Sequence, residues 1–148
     1  MSENGFVLIS GKSAAAELFG SALPDCGVVF AEKAIIADCP DCAVIVGENG
    51  EIPIVKRAAG VIINGDSGGL LPTERLSGVQ LITCGRCAKN TVCVTSNDGE
   101  TLTLALNRGI TTLRGFCEPM ELPVKRTAAS EYDCMAAFAA AVLLGRLN

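Results

Sequence analysis

The chain has 148 residues, enough for one domain of ordinary size, and a chain of that length buries roughly 68–70% of the surface its unfolded form exposes. Hydrophobic residues make up 49% and aromatic residues 4%, so the core is filled by Ala, Val, Leu and Ile rather than by rings. Net charge is −4, and the Lys and Arg residues stand singly or in pairs, as at Lys56-Arg57 and Lys125-Arg126. Without a basic patch or a row of aromatics to stack bases, no nucleic-acid partner is expected, and no membrane-surface site.

The first five residues are polar and acidic and lack the cationic stretch of a secretory signal. The longest apolar run, 134–145, is shorter than the about 20 residues needed to cross a bilayer. The expectation is a cytoplasmic protein with reduced thiols and a single α/β domain over residues 1–148.

In chain order, Phe6-Val7-Leu8-Ile9 reads as a short buried strand. It leads through Ser10-Gly11-Lys12-Ser13 into an Ala-rich helical stretch at 14–22. Val28-Val29-Phe30, Ala34-Ile35-Ile36-Ala37 and Ala43-Val44-Ile45-Val46 are further strands, the last ended by the turn Gly47-Glu48-Asn49-Gly50. Pro53 at a first helical turn predicts a short helix over 54–59. Val61-Ile62-Ile63 is a strand that enters the loop 64–69, a helical turn is expected at 73–76, and 79–83 is another strand. Beyond residue 90 the segments 91–96 and 101–106 flank Asn97-Asp98-Gly99-Glu100, a hairpin signal. Residues 116–124, with prolines at 119 and 123, suit an edge strand. Ser130 opens a helix as its N-cap, Asp133 stands at N3, and Gly145 is the expected stop after Leu144. Near-continuous apolar strands followed by an antiparallel part predict a Rossmann-like, mostly parallel sheet with an antiparallel β extension and a closing helix.

Three motifs bear on chemistry. Ser10-Gly11-Lys12-Ser13 lies between strand and helix, where a phosphate loop belongs. The glycine that should open such a loop is Gly5, one residue too far away, and the residues between are strand. The alternatives are a weaker anion site at a helix N-terminus or a plain turn with a Ser cap. Cys39-Pro40-Asp41-Cys42 and Cys84-Gly85-Arg86-Cys87 are two Cys-x-x-Cys pairs. If both follow strands they can meet at one sheet edge as a Cys₄ zinc site; a redox dithiol and buried apolar thiols are the other readings. The chain has no histidine, which removes Ser-His and Cys-His nucleophiles. Asp66, in a glycine-rich loop after a buried strand, is the carboxylate best placed to meet a ligand at a strand's C-terminal end, with an Asx-turn as the structural alternative.

Four features occur in a familiar order. They are Val61-Ile62-Ile63-Asn64-Gly65-Asp66-Ser67, then Leu81-Ile82-Thr83-Cys84-Gly85, then the hairpin 91–106, then the Ala-rich helix 130–145 ending Leu-Leu-Gly. Together they resemble the C-terminal half of the central domain of Mur ligases, ATP-dependent enzymes that add amino acids to the peptidoglycan precursor. In that family the first two strands end in Asn-x-Asp-Asp and Thr-Tyr/Phe-Gly. The departures fall on functional positions. Ala129, Ser130 and Asp133 stand where the family's closing helix carries His-Asn and a later Asn, whose asparagines help hold adenine, and Ser67 replaces the second Asp. The family's ligation chemistry also uses an intact phosphate loop and a separate C-terminal domain, for which the 148 residues leave no length.

The sequence therefore points to a non-catalytic, Mur-ligase-like binding or assembly module, with no catalytic residue assigned, no cofactor expected and ATP not expected. One alternative is a reduced nucleotide- or phosphate-binding protein using Lys12, Ser13, Asn64 and Asp66, with Asp133 at the helix start. Another is a zinc- or thiol-dependent regulatory protein using Cys39, Cys42, Cys84 and Cys87. Partners are an unidentified protein or small molecule and a second copy of the chain: the closing helix carries no charge from 134 to 145, so a homodimer burying it or the β ribbon is expected.

Overall fold

A computed structural model of the chain describes residues 5–11, 27–31, 36–47, 52–66, 76 and 78–147. The apolar runs form β1 (Phe6–Ser10), β2 (Gly27–Ala31), β3 (Ile36–Asp38), β4 (Cys42–Val46), β5 (Ile54–Arg57), β6 (Gly60–Asn64) and β7 (Leu81–Gly85). They are followed by β8 (Val92–Asn97), β9 (Thr101–Leu106), β10 (Ile110–Thr112), β11 (Gly115–Cys117), β12 (Met120–Lys125) and the helix α1 (Glu131–Leu143). The expected helix at 14–22 and the loop 67–69 lie outside the described residues, as does all of the expected turn at 73–76 except Leu76.

Among the described residues, eight strands form one sheet in the order β12-β9-β8-β7-β6-β4-β1-β2. Neighbours from β2 to β8 are parallel, β9 runs against β8, and β12 runs against β9. The fold is mixed α/β, with a mostly parallel central sheet, antiparallel strands at one end and a helix packed on it. Strand order reverses at β1, which has β2 on one side and β4 on the other.

The central strands are mainly apolar, with residues buried on both faces. Val7, Ile9, Ala43, Ile45, Ile62 and Ile82 point to the α1 side and join its core. Leu8, Val44, Val61 and Ile63 point the other way and pack with Ala37 of β3 and Val55 of β5. Those two strands pair in parallel as a separate small sheet that caps this face. The Asp38–Arg57 ion pair, 2.6 Å, ties them together.

Two expectations need correction here. Residues 54–57 are strand, not helix: Val55 is fully buried between exposed Ile54 and Lys56, a period-two pattern, and β3 supplies the ladder. Pro53 precedes the strand instead of opening a helix. The extended run 116–124 is also not one strand. Gly115–Cys117 turns back on β10 as a hairpin, and only Met120–Lys125 reaches the main sheet, where it does form an edge.

The helix ends follow their sequence signals. Ser130 Oγ accepts the Asp133 N–H at 3.1 Å. At the other end Gly145 sits at φ 75°, and the N–H groups of Gly145 and Arg146 donate to Val142 and Ala141 at 2.9 and 2.8 Å. From Cys134 to Leu144 every residue except Ala137 is buried within the one chain. The sheet covers one side of α1, and the β10–β11 hairpin closes against its end through the Leu113 N–H to Leu143 carbonyl bond at 2.9 Å.

Leu143, fully buried between α1 and the sheet, is expected to cost about 2–5 kcal/mol on truncation to Ala. Ser130→Ala is expected to cost about 1 kcal/mol through the lost cap. Urea unfolding of both variants checks the ranking, and a Ser130→Ala loss as large as that of Leu143→Ala contradicts it.

Candidate functional site

The C-terminal ends of β6 and β7 meet in a tightly tied pair of loops. Asn64 Oδ1 accepts the Asp66 N–H at 2.9 Å, an Asx-turn that folds the chain back as β6 ends. The Gly65 N–H donates to the Cys84 carbonyl at 2.8 Å. Asp66 then spans the two loops: Oδ2 accepts the Arg86 N–H at 2.8 Å and Oδ1 accepts Asn90 Nδ2 at 3.3 Å. Asn90 Nδ2 also donates to the Cys87 carbonyl at 2.9 Å. The groups come so close that glycine is required in both loops. A Cβ on Gly65 would lie 1.9 Å from Asn90 Oδ1, and one on Gly85 would lie 2.3 Å from Asp66 Oδ1.

Next to these loops β8 rises past the sheet. It pairs with β7 only at Cys84–Val92 and Gly85–Cys93, so its remaining residues extend beyond the ends of the parallel strands. Side chains extend the short ladder: the Thr83 N–H donates to Thr91 Oγ1 at 3.3 Å, and the Thr91 N–H donates to Thr83 Oγ1 at 3.0 Å. Asn107 Nδ2 holds the connecting loop through the Asn90 carbonyl at 3.0 Å. The projecting part of β8 makes one wall of a cleft of about 370 Å³ lined by Arg86, Val94, Thr95, Ser96, Asn97 and Glu131.

At the cleft, Arg86 Nε meets Glu131 Oε1 at 2.8 Å, and Asn97 Nδ2 donates to Glu131 Oε2 at 2.9 Å. The Asn97 hydrogen bond, and then Arg86, hold the Glu131 carboxyl below its ordinary range. One residue on, the Tyr132 hydroxyl donates towards the Val46 carbonyl at 2.6 Å, with the Ile62 carbonyl at 3.4 Å. It thereby fastens α1 over the ends of β4 and β6. Burial raises the Tyr132 phenol well above its usual value.

Of the residues singled out in the sequence, Asn64 and Asp66 come together at this edge, and the Asp133 N–H is capped by Ser130 close by. Lys12 and Ser13 lie outside the described residues. Ser10 and Gly11, which lead into them, end β1 beside β4, where the Gly47 N–H donates to the Ser10 carbonyl at 2.6 Å. The structure does not bring the two thiol pairs together. Cys42 is the first residue of β4, one before the Ala43–Gly60 pair, and so is level with position 59; Cys84 pairs with Asn64. Five positions of parallel strand, about 16 Å, separate the two levels. The first pair enters its strand and the second leaves its own, so they occupy opposite ends of the sheet. Among the described residues no three His, Cys, Asp or Glu side chains form a metal-binding group.

Arg86, Asn90, Asn97, Glu131 and Tyr132 escaped the sequence reading. The available signals were slight: Tyr132 is the chain's single tyrosine, set at the start of an otherwise aliphatic helix, and Glu131 follows an N-cap. Asp66 and Glu131 already accept hydrogen bonds, and burial pushes the Cys42 thiol up to about 12 and also raises the Cys84 thiol. This arrangement suits holding a polar group in the cleft better than activating a nucleophile.

The loop clamp predicts coupling between Gly85 and Asp66. Gly85→Ala should cost about 1–3 kcal/mol through overpacking and Asp66→Ala about 1 kcal/mol through its lost bonds. The double variant should lose less than their sum, because removing the carboxylate frees the space that the new methyl needs; strict additivity in urea unfolding contradicts the clamp. Glu131 carries a pH dependence of fixed sign. A carboxylate whose folded pKa is depressed stabilises the fold above its ordinary value of 4.5, and that contribution disappears as pH falls through the lowered folded value. Glu131→Gln should therefore flatten the acid limb of the stability–pH curve, and an unchanged acid limb counts against the assignment.

No family model, no curated protein and no solved structure matches the chain.

Proposed function

We propose that the chain is a non-catalytic binding or assembly module of the cytoplasm, built on a Rossmann-like sheet akin to part of a Mur ligase central domain. The observation that carries this reading is the mutual neutralisation of polar groups at the strand ends. Glu131 is engaged by Arg86 and Asn97, and Asp66 by the Arg86 N–H and Asn90. A general base or nucleophile needs a pKa matched to its task and a free line to substrate. Glu131 is held ionised by its partners, and Asp66 is tied into the loops. The Mur-like part of the reading draws on the succession of β6, β7, the β8–β9 hairpin and α1 ending at Gly145. The ligand side of the module is the cleft beside β8.

A second reading, phosphate or nucleotide binding through Lys12 and Ser13, is favoured by one feature. Ser10 and Gly11 stand at the end of β1, where strand order reverses. In open α/β sheets ligands settle outside the strand ends at such a reversal.

Magnesium–ATP turnover by the purified chain should equal that of Lys12→Ala, both at background. Magnesium-dependent hydrolysis lost in Lys12→Ala overturns the non-catalytic reading. A thermal shift with ATP or inorganic phosphate that vanishes in Lys12→Ala, without turnover, moves the assignment to the second reading.

A further inference from the structure

The two Cys-x-x-Cys motifs are equivalent in sequence and different in space. Cys39-Pro40-Asp41-Cys42 is a closed β-turn: the Cys42 N–H donates to the Cys39 carbonyl at 3.2 Å. Pro40 fits the second position of such a turn, and the end Cα atoms of a β-turn lie within about 7 Å, close to the range a disulfide spans. Both side chains belong to the same core cluster on the β3–β5 face, Cys42 buried and Cys39 half-buried at its margin. They are near enough that the charge of one thiolate acts on the other. The turn is pinned on two sides, by the Phe6 N–H to the Asp41 carbonyl at 3.2 Å and by the Cys39 N–H to the Arg57 carbonyl at 3.1 Å. Cys84 instead sits inside β7, fully buried in the α1-side core, while Cys87 is exposed on the loop beyond.

From this geometry we infer that Cys39 and Cys42 form a reversible dithiol–disulfide site, and that Cys84 and Cys87 do not. The oxidant is a small-molecule disulfide such as oxidised glutathione. The half-exposed Cys39, as thiolate, attacks one sulfur of that disulfide, forming a mixed disulfide and expelling one thiolate. Cys42 gives up its proton to water and its sulfur attacks Cys39 Sγ. The Cys39–Cys42 bond forms and the second small thiolate leaves, to be protonated. Two protein thiols are oxidised by two electrons, and one disulfide is reduced to two thiols. Burial disfavours the Cys42 thiolate but not a neutral disulfide, so the closed bond suits the site that holds it.

The test equilibrates the full chain in mixtures of reduced and oxidised glutathione, quenches in acid, alkylates free thiols and digests with trypsin. Cleavage after Lys33 and Lys56 releases Cys39 and Cys42 alone in the peptide 34–56, while cleavage after Arg86 separates Cys84 from Cys87. The expected result in oxidised glutathione is peptide 34–56 with two hydrogens fewer and no alkylation, reverting fully to the alkylated form in reduced glutathione. Cys39→Ser should abolish that species, and Cys87→Ser should leave it intact. Full alkylation of peptide 34–56 under oxidising conditions overturns the inference. So does a lasting glutathione adduct at Cys39 with Cys42 free, or a Cys84–Cys87 link formed in preference. The peptide readout on the unmodified chain stands even if a substitution impairs folding.

Discussion

A parallel sheet that is apolar on both faces cannot stand in water, and the rest of this fold answers that requirement. Side chains alternate along each strand, so Val7 and Ile9 need cover on one face and Leu8 on the other. The α1 helix supplies the first cover, and the small β3–β5 sheet helps supply the second. Because α1 is itself buried almost all round, its sequence can afford neither charge nor large polar groups past its first turn. The near absence of aromatics follows from the same packing: Ala at 136 and 139–141 lets the helix lie close on strands made of Val and Ile.

The cleft arises from where that sheet stops being parallel. A parallel neighbour normally needs a long crossover, yet only six residues, 86–91, separate β7 from β8. So short a link cannot carry the chain back to the start of β7. β8 therefore begins where β7 ends and runs on beyond it, paired mainly with β9. The link must be compact, and the bonds among Asp66, Arg86, Asn90, Thr91 and Asn107 make it so. The two close-approach glycines, Gly65 and Gly85, belong to this compaction. Asp66 thus serves the loop first, and any ligand in the cleft meets Arg86, Glu131 and Asn97 as an already balanced set.

Much of this architecture was legible in local patterns. Short apolar runs gave the central strands, Asp98-Gly99 the hairpin, and Ser130 and Gly145 the helix ends, because each signal depends on neighbouring residues alone. The failures are long-range. Residues 54–57 alternate as a strand only in view of the core that receives Val55, and a proline before them suits either structure. The ion pair of Arg86 with Glu131 joins residues 45 apart, and Tyr132 reaches Val46 across 86. No spacing rule spans such separations. The run 116–124 divides because Cys117 is drawn to β10 while Met120 is drawn to β9, a choice made by two different partners.

The cysteines show the same limit most plainly. A Cys-x-x-Cys spacing fixes how far apart two thiols can be, but not whether the backbone between them closes. At 39–42 the motif lies between strands of different sheets, and the chain must turn sharply to pass from β3 into β4; the proline and the closing hydrogen bond make that turn. At 84–87 the first cysteine is already committed to the β7 ladder and to the core beneath α1, and the chain leaves it to enter the loop held by Asp66. One motif is folded onto itself and the other is pulled apart by the structures at its two ends. The chemistry of each pair is therefore set by the strands that flank it, and the parallel order of those strands also places the pairs too far apart to share one metal ion.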